Sequence, residues 1–94
     1  MIKAFANKNT AAIFDGLEVK RIARPIQSAA RRKLKLLDAV ARLEDLRVPP
    51  RNRLETLKGD RKGQWSIRVN DQWRICFRWQ GGHSYDVELT DYHG

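Results

Sequence analysis

An apolar residue occupies every second position in WSIRV (65–69), in WRICFRW (73–79) and in YDVEL (85–89). This period is typical of β-strands that bury one face. Residues 70–72 and 81–83, which separate the three stretches, contain residue types that favour turns. The sequence therefore predicts three consecutive antiparallel strands with one shared apolar face.

The alternation also predicts how the first two strands pair. A two-residue turn at 70–71 would place Arg74 opposite Ile67 and bring a charge into the apolar face. A three-residue loop at 70–72 would place Ile75 opposite Ile67 instead. Because a shift of one residue moves every side chain to the other face, we expect the three-residue loop.

A loop at 81–83 extends the same pattern to the third strand, pairing Trp79 with Tyr85 and Ile75 with Leu89. The three tryptophans share the apolar alternation: Trp65, Trp73 and Trp79. Tryptophans can serve as stacking platforms for bases. Their place on the apolar face favours a role in the core.

The residues before this meander predict a strand and a short helix. Residues 2–6 are short and apolar, as expected for a first strand. Asn9 or Thr10 can cap a helix that ends near Phe14, because their side-chain oxygens accept hydrogen bonds from backbone N–H groups. We therefore expect an N-terminal strand followed by a short helix.

A second, longer helix is predicted from Pro25, which suits a first helical turn. The proline pair at 49–50 should end this helix near Leu46 or Arg47. Its apolar residues recur at spacings of three and four: Ile26, Ala30, Leu34, Leu37 and Ala41. A helix with such a stripe can cover the apolar face of the sheet. The predicted fold is therefore a two-layer α+β domain in which the N-terminal strand completes a four-stranded sheet.

The composition limits the chain to one small domain over residues 1–94. Its 94 residues are 41% hydrophobic and 32% charged, as in globular domains. The sequence has neither an apolar run of about 20 residues nor the apolar stretch of a signal peptide, so we expect a cytoplasmic protein. The single cysteine, Cys76, excludes an internal disulfide and a cysteine-based zinc cluster. We expect no metal and no cofactor.

The positive charge is concentrated in the middle of the chain. The net charge is +8, and residues 20–62 hold 14 basic and 5 acidic residues. For the helical part of this run, a solvated helix face and a binding surface are equally good explanations. The loop part needs no cations for its own stability, so it indicates a polyanion partner, nucleic acid before an acidic protein. The residues that we expect to bind RNA are Arg51, Arg53, Arg61, Lys62 and Arg68.

The second face of the predicted sheet places Arg68 opposite Arg74. Like charges in this position destabilise a sheet by up to about 1 kcal/mol. The two side chains can separate into water. Alternatively an anion such as phosphate lies beside them, since guanidinium groups bind phosphate oxygens in pairs.

The predicted strand beside Arg74 ends in Asp91, Tyr92 and His93. RNA cleavage needs a base for the 2′-hydroxyl, cations for the charge on phosphorus and an acid for the 5′-oxygen. Histidine suits either proton-transfer role because its unperturbed pKa is about 6.5. The place of these three residues beside Arg74 makes them candidates for a metal-free phosphodiester site.

These segments together resemble the HigB-type toxins of the RelE superfamily. The resemblance is carried by LKGDRKGQWSIRV (57–69), WRICF (73–77) and DYH (91–93), and it covers nearly the whole chain. It implies a RelE-like fold and a type II toxin that cuts messenger RNA in the ribosomal A site without a metal. It also implies a HigA-type helix-turn-helix antitoxin as partner, the 70S ribosome as target, and operator DNA bound through the antitoxin complex.

The resemblance also implies roles for individual residues. Lys58 and Arg74 match the cationic site positions of the family, and 91–93 match its C-terminal catalytic group. Some members have a histidine where this chain has Glu55. Glu55 can act as a base in its place, or it can form a salt bridge with Arg53 or Lys58.

Two other functions fit the same residues. One is a non-catalytic module that binds RNA or the ribosome and inhibits growth by occupancy. The other is a transcriptional repressor subunit that depends on an antitoxin and has lost its toxicity, which the glutamate at position 55 leaves open.

Overall fold

The structure, a computed structural model, describes residues 1–91. Over this range it contains two α-helices and one antiparallel sheet. The helices are α1 (Lys8–Phe14) and α2 (Arg24–Ala39). The strands, in chain order and in order across the sheet, are β1 (Glu55–Thr56), β2 (Trp65–Arg68), β3 (Trp73–Gln80) and β4 (His83–Asp91). Short 3₁₀ helices lie between α2 and β2: Leu43–Arg47, Pro50–Asn52 and Gly59–Arg61.

The helices lie on one face of the sheet, where α2 contacts β3 and β4 and α1 contacts β4. The predicted α+β fold is thus confirmed. The core between the layers contains these fully buried residues: Ile13, Ala30, Leu34, Leu37, Leu46, Ile67, Ile75, Phe77 and Val87. The three tryptophans are half-buried against this core, so their predicted packing role is also confirmed.

The first hairpin has the predicted register, with Ile67 opposite Ile75. The side-chain oxygen of Asn70 accepts hydrogen bonds from the backbone N–H groups of Gln72, at 2.8 Å, and Trp73, at 2.7 Å. An asparagine that bonds its own loop in this way stabilises a turn. The three-residue loop therefore keeps the apolar side chains of β2 and β3 on one face.

The second hairpin differs from the predicted one near its turn. Gly81 and Gly82 both have positive φ, which permits a two-residue turn that pairs Gln80 with His83. Trp79 consequently faces Ser84, and its predicted pairing with Tyr85 was wrong. A bulge opposite Phe77 absorbs one residue of β4, so the predicted pairing of Ile75 with Leu89 is confirmed.

The N-terminal residues do not form the predicted continuous strand. Ile2 and Phe5 make isolated parallel bridges to Ser84 and Val87 of β4. Between these two partners, Asp86 has a left-handed backbone with φ 51°, which interrupts the alternation that a regular ladder needs. The fourth strand of the sheet is instead β1, at the opposite edge.

Helix α1 begins two or three residues earlier than predicted, with Asn7 as its N-cap. The Asn7 side-chain oxygen accepts hydrogen bonds of 2.8 Å from both the backbone N–H and the hydroxyl of Thr10. The Thr10 hydroxyl oxygen in turn accepts a 3.0 Å hydrogen bond from the Leu89 N–H. Thr10 is thus buried between α1 and β4 and does not cap the helix.

Helix α2 ends at Ala39, about two turns before the predicted end near Leu46 or Arg47. Val40 is extended, and the chain then turns into a 3₁₀ helix that buries Leu46 completely. Because a continued helix would carry Leu46 about 10 Å beyond Ala39, it would remove this side chain from the core. Tertiary packing therefore ends α2 early and leaves Ala41 exposed. Within residues 1–91, neither helix has the length and apolarity required to span a bilayer.

The core packing predicts a large difference between two leucine substitutions. Leu34 is completely buried, whereas Leu17 is 62% exposed. We expect Leu34→Ala to lower the free energy of unfolding by about 3 kcal/mol, because it leaves a cavity. Leu17→Ala should change it by less than about 0.5 kcal/mol. Urea denaturation measures both values, and equal effects would contradict the assignment of Leu34 to the core.

Candidate active site

The face of the sheet opposite the helices, which we call the polar face, lies largely beneath the basic loop (residues 47–62). Its residues are Ser66, Arg68, Arg74, Cys76, Glu88 and Thr90. Ser66 and Cys76 are completely buried, and Arg74 is 9% exposed. The basic loop contacts this face through the Arg53 carbonyl and the Arg61 side chain. This coverage limits which cations of the polar face can meet a ligand.

Arg74 contacts two residues of the basic loop, Arg53 and, in β1, Glu55. Its Nη2 donates a 2.7 Å hydrogen bond to the backbone carbonyl of Arg53, and its Nη1 lies 3.8 Å from Oε1 of Glu55. Arg53 has a left-handed backbone with φ 46°, which directs its carbonyl toward β3. Arg74 is therefore a nearly buried cation with a set orientation. Glu55, whose side chain is 53% exposed, lies at its accessible side.

The predicted juxtaposition of Arg68 and Arg74 in the ladder is confirmed. Each arginine has a carboxylate of its own, because Arg68 pairs with Asp71 in the following loop and Arg74 lies beside Glu55. Each of the two positive charges thus has a carboxylate beside it. The sequence predicted Arg53 or Lys58 as the salt-bridge partner of Glu55. In the structure the partner is Arg74.

Two of the other predicted catalytic residues, Lys58 and Asp91, belong to the described part of the chain. Lys58 is exposed, directly before the 3₁₀ helix Gly59–Arg61. Asp91 follows Thr90, the cross-strand neighbour of Arg74, and its Oδ2 accepts a 3.0 Å hydrogen bond from Gln72. Asp91 itself pairs with Trp73, so it belongs to the opposite alternation from Arg74. Tyr92 and His93 lie outside the described residues.

The residues predicted to bind RNA differ in how accessible they are. Arg51, Arg53 and Lys62 are exposed. Arg61 is half-buried and forms a 3.1 Å ion pair with Glu88 as well as a hydrogen bond to Gln64. Arg61 therefore attaches the basic loop to the polar face. Arg51, Arg53 and Lys62 present their charges outward.

Sequence reasoning missed a contact between Lys33 and Asn52. The Lys33 ammonium donates a hydrogen bond to Oδ1 of Asn52, a completely buried residue of the basic loop. The Asn52 amide also donates to the carbonyls of Leu46 and Val48, each at 3.2 Å. Burial, and then the charges of three neighbouring arginines, lower the pKa of Lys33. A signal was present, because Lys33 lies three residues after Ala30, at the border of the apolar stripe of α2.

Among the described residues, no cluster of three or more histidine, cysteine or acidic side chains could hold a metal ion. Cys76 is completely buried, and burial raises the pKa of its thiol. The thiolate, which is the nucleophilic form of cysteine, is therefore disfavoured in the folded protein. Cys76 is thus a small buried side chain on the polar face.

We expect Cys76 to react with iodoacetamide at pH 8 at least about tenfold more slowly in the folded protein than in urea, because only the thiolate attacks. The folded protein keeps the thiol proton of Cys76 at pH values where the unfolded chain loses it. Stability should therefore fall as pH rises through the interval between the ordinary thiol pKa, about 8.5, and the raised one. The Cys76→Ala variant should lack this pH-dependent part of the stability. Equal alkylation rates in the folded and unfolded states would contradict the raised pKa of the Cys76 thiol.

Comparison with known proteins identifies the family. Residues 3–93 match the family model described as the RelE-like toxin of the type II toxin–antitoxin system HigB. Toxin HigB-1 of Vibrio cholerae serotype O1 is 51% identical over 64 residues, which are 68% of this chain and 67% of that protein. Endoribonuclease HigB of Proteus vulgaris is 34% identical over 95 residues, which cover 99% of this chain and all of that protein. The chain therefore belongs to the HigB-type, RelE-like toxins of type II toxin–antitoxin systems.

Proposed function

We propose that this toxin is a ribosome-dependent, metal-independent endonuclease that cleaves messenger RNA and thereby inhibits translation. The family and the relative named Endoribonuclease HigB, which aligns over nearly the whole chain, support ribonuclease activity. The observation that carries the proposal is the position of Arg74, a nearly buried cation beside the exposed carboxylate of Glu55. A phosphate anchor and a candidate base thus lie within one small site.

Arg74 is suited to hold the scissile phosphate. A guanidinium group has five N–H donors in a planar arrangement and stays charged at all relevant pH values. The hydrogen bond to the Arg53 carbonyl occupies Nη2 and sets the plane of the group. An anchor that is oriented before the substrate binds does not need to be ordered during the reaction.

Lys58 and Glu55 supply the next two requirements of RNA cleavage. Lys58 is exposed near the start of the 3₁₀ helix that follows β1, and its ammonium would stabilise the extra negative charge on phosphorus. Glu55 lies beside the phosphate anchor and would accept the proton of the 2′-hydroxyl. The positive charge that the transition state needs comes from Arg74 and Lys58.

The C-terminal residues complete the proposed mechanism. His93 would transfer a proton to the departing 5′-oxygen, and Tyr92 would position the nucleotide. Asp91, which lies at the end of β4, would orient these neighbours. These roles rest on the resemblance of residues 91–93 to the catalytic group of the family.

The partners follow from the same proposal. Membership in a type II toxin family implies an antitoxin partner. We propose a HigA-type helix-turn-helix antitoxin, and operator DNA that is bound through the toxin–antitoxin complex. The outward-facing Arg51, Arg53 and Lys62, together with Arg61 and Arg68, would contact RNA of the 70S ribosome and the message in its A site. Because translating ribosomes are the target, we place the toxin in the cytoplasm.

Arg74→Ala should lower the rate of mRNA cleavage on programmed ribosomes by at least about 10²-fold, because it removes the phosphate anchor. His93→Ala should act similarly, and both variants should relieve growth arrest. Arg24→Ala is the control, since Arg24 is exposed and pairs with Glu18 far from the site. Circular dichroism establishes that each variant is folded. Full cleavage by both site variants would contradict the mechanism. Translation arrest by the wild type without cleavage would favour the occupancy-based inhibitor.

The proposed role of Glu55 as a base has its own test. Glu55→Gln preserves the shape of the side chain but removes its proton acceptor, so the single-turnover rate should fall by about 10²–10⁴-fold. Glu44→Gln is the control, because Glu44 is exposed and pairs with Arg42. An unchanged single-turnover rate would show that Glu55 only neutralises Arg74.

A further inference from the structure

We propose that Lys33, Arg32, Arg51 and Arg68 form a second phosphate-binding site, which holds a backbone phosphate of RNA next to the reaction centre at Arg74. The four cations come from three parts of the fold: α2, the basic loop and β2. The inference rests on the proposed function for its choice of RNA as the polyanion. It adds a ligand site that involves α2.

The site has a set geometry because α2 and the basic loop are joined at Lys33. The Lys33 ammonium donates a hydrogen bond to Oδ1 of Asn52, which follows Arg51 directly. The Asn52 amide is in turn bonded to two backbone carbonyls of the same loop. The backbone that presents Arg51 is therefore attached to the helix that presents Lys33 and Arg32.

The charges of this cluster are poorly compensated. The charges of Arg51, Arg32 and Arg68 all disfavour the protonated form of Lys33. In residues 1–91, an ion pair with a carboxylate is formed by Arg68, with Asp71, but not by Lys33, Arg32 or Arg51. The Asp71 side chain is almost fully exposed, so its charge is well screened by water. Of these four cations, Arg68 thus has an exposed carboxylate as its partner within residues 1–91, and the other three have none there.

A half-buried ammonium group without a carboxylate is unfavourable unless a ligand supplies the negative charge. Lys33 is partly desolvated by its surroundings and lies among like charges, which together lower its pKa. A bound phosphate would reverse this effect and favour the protonated lysine. Arg32 and Arg51 have guanidinium groups, which can bind phosphate oxygens in pairs.

The position of this cationic cluster relative to Arg74 favours RNA over an acidic protein as the ligand. Arg68 is the direct cross-strand neighbour of Arg74, so the two side chains start about 5 Å apart on the polar face. A ligand with regularly spaced negative charges can therefore contact both sites at once. A nucleic acid backbone has such spacing.

The test compares the binding of Lys33→Gln and Arg51→Gln to 70S ribosomes over a range of salt concentrations. Each change removes one phosphate contact, so affinity should fall several-fold and the log–log salt slope should become shallower by about 0.7–0.9. Lys20→Gln is the matched control, because Lys20 is exposed before α2 and the same charge is removed. Lys33→Arg should retain most of the wild-type affinity.

Ribosomes with and without message in the A site distinguish the source of the phosphate. A loss of affinity that appears only with message assigns the site to messenger RNA, and a loss in both cases assigns it to ribosomal RNA. Arg51→Gln decides the question if Lys33→Gln fails to fold, since Arg51 is exposed and makes no side-chain bond within residues 1–91.

Two outcomes would overturn the inference. One is that both variants bind ribosomes like Lys20→Gln. The other is that they lose affinity for the purified cognate antitoxin alone, which would make the cluster a protein interface. Cleavage by the wild type is measured separately. If the wild type binds but does not cleave, the proposed nuclease function fails while the phosphate site is still judged by its binding data.

Discussion

The pairing of Ile67 with Ile75 is the constraint on which the other features of this toxin depend. Because side chains alternate along a strand, this one pair assigns every residue of β2 and β3 to one of two faces. The apolar set packs against the helices. The same register places Arg68 opposite Arg74 on the polar face, away from the hydrophobic core.

The polar face is organised by a loop without regular periodicity. The Arg53 carbonyl accepts a hydrogen bond from Arg74, and Arg61 pairs with Glu88. These contacts let the chain place a charged residue in a largely buried position without leaving it uncompensated. The basic loop therefore has a structural role for some of its cations, whereas Arg51, Arg53 and Lys62 remain exposed for a ligand.

The two proposed phosphate contacts differ in how their charges are balanced. Arg74 lies 3.8 Å from Glu55, so a substrate phosphate would meet a cation already accompanied by a candidate base. Lys33 has a neutral amide as its hydrogen-bond partner and three arginines as electrostatic neighbours. The first arrangement suits chemistry, because it combines an anchor with a proton acceptor. The second suits attachment of a polyanion, since a phosphate supplies the charge that the protein lacks.

The sequence by itself determined the apolar face of the sheet, the first hairpin register, the stripe of α2 and the family, since these are written in local periodicity and short motifs. Tertiary structure decided the early end of α2, where Leu46 must reach the core, and the bulge at Asp86. It also decided the contact of Lys33 with Asn52 and that of Arg74 with Arg53, which join residues 19 and 21 positions apart. A local pattern can indicate that Lys33 borders the apolar stripe, but it does not identify the partner in either contact, because the partner depends on where a loop without periodicity crosses the completed sheet.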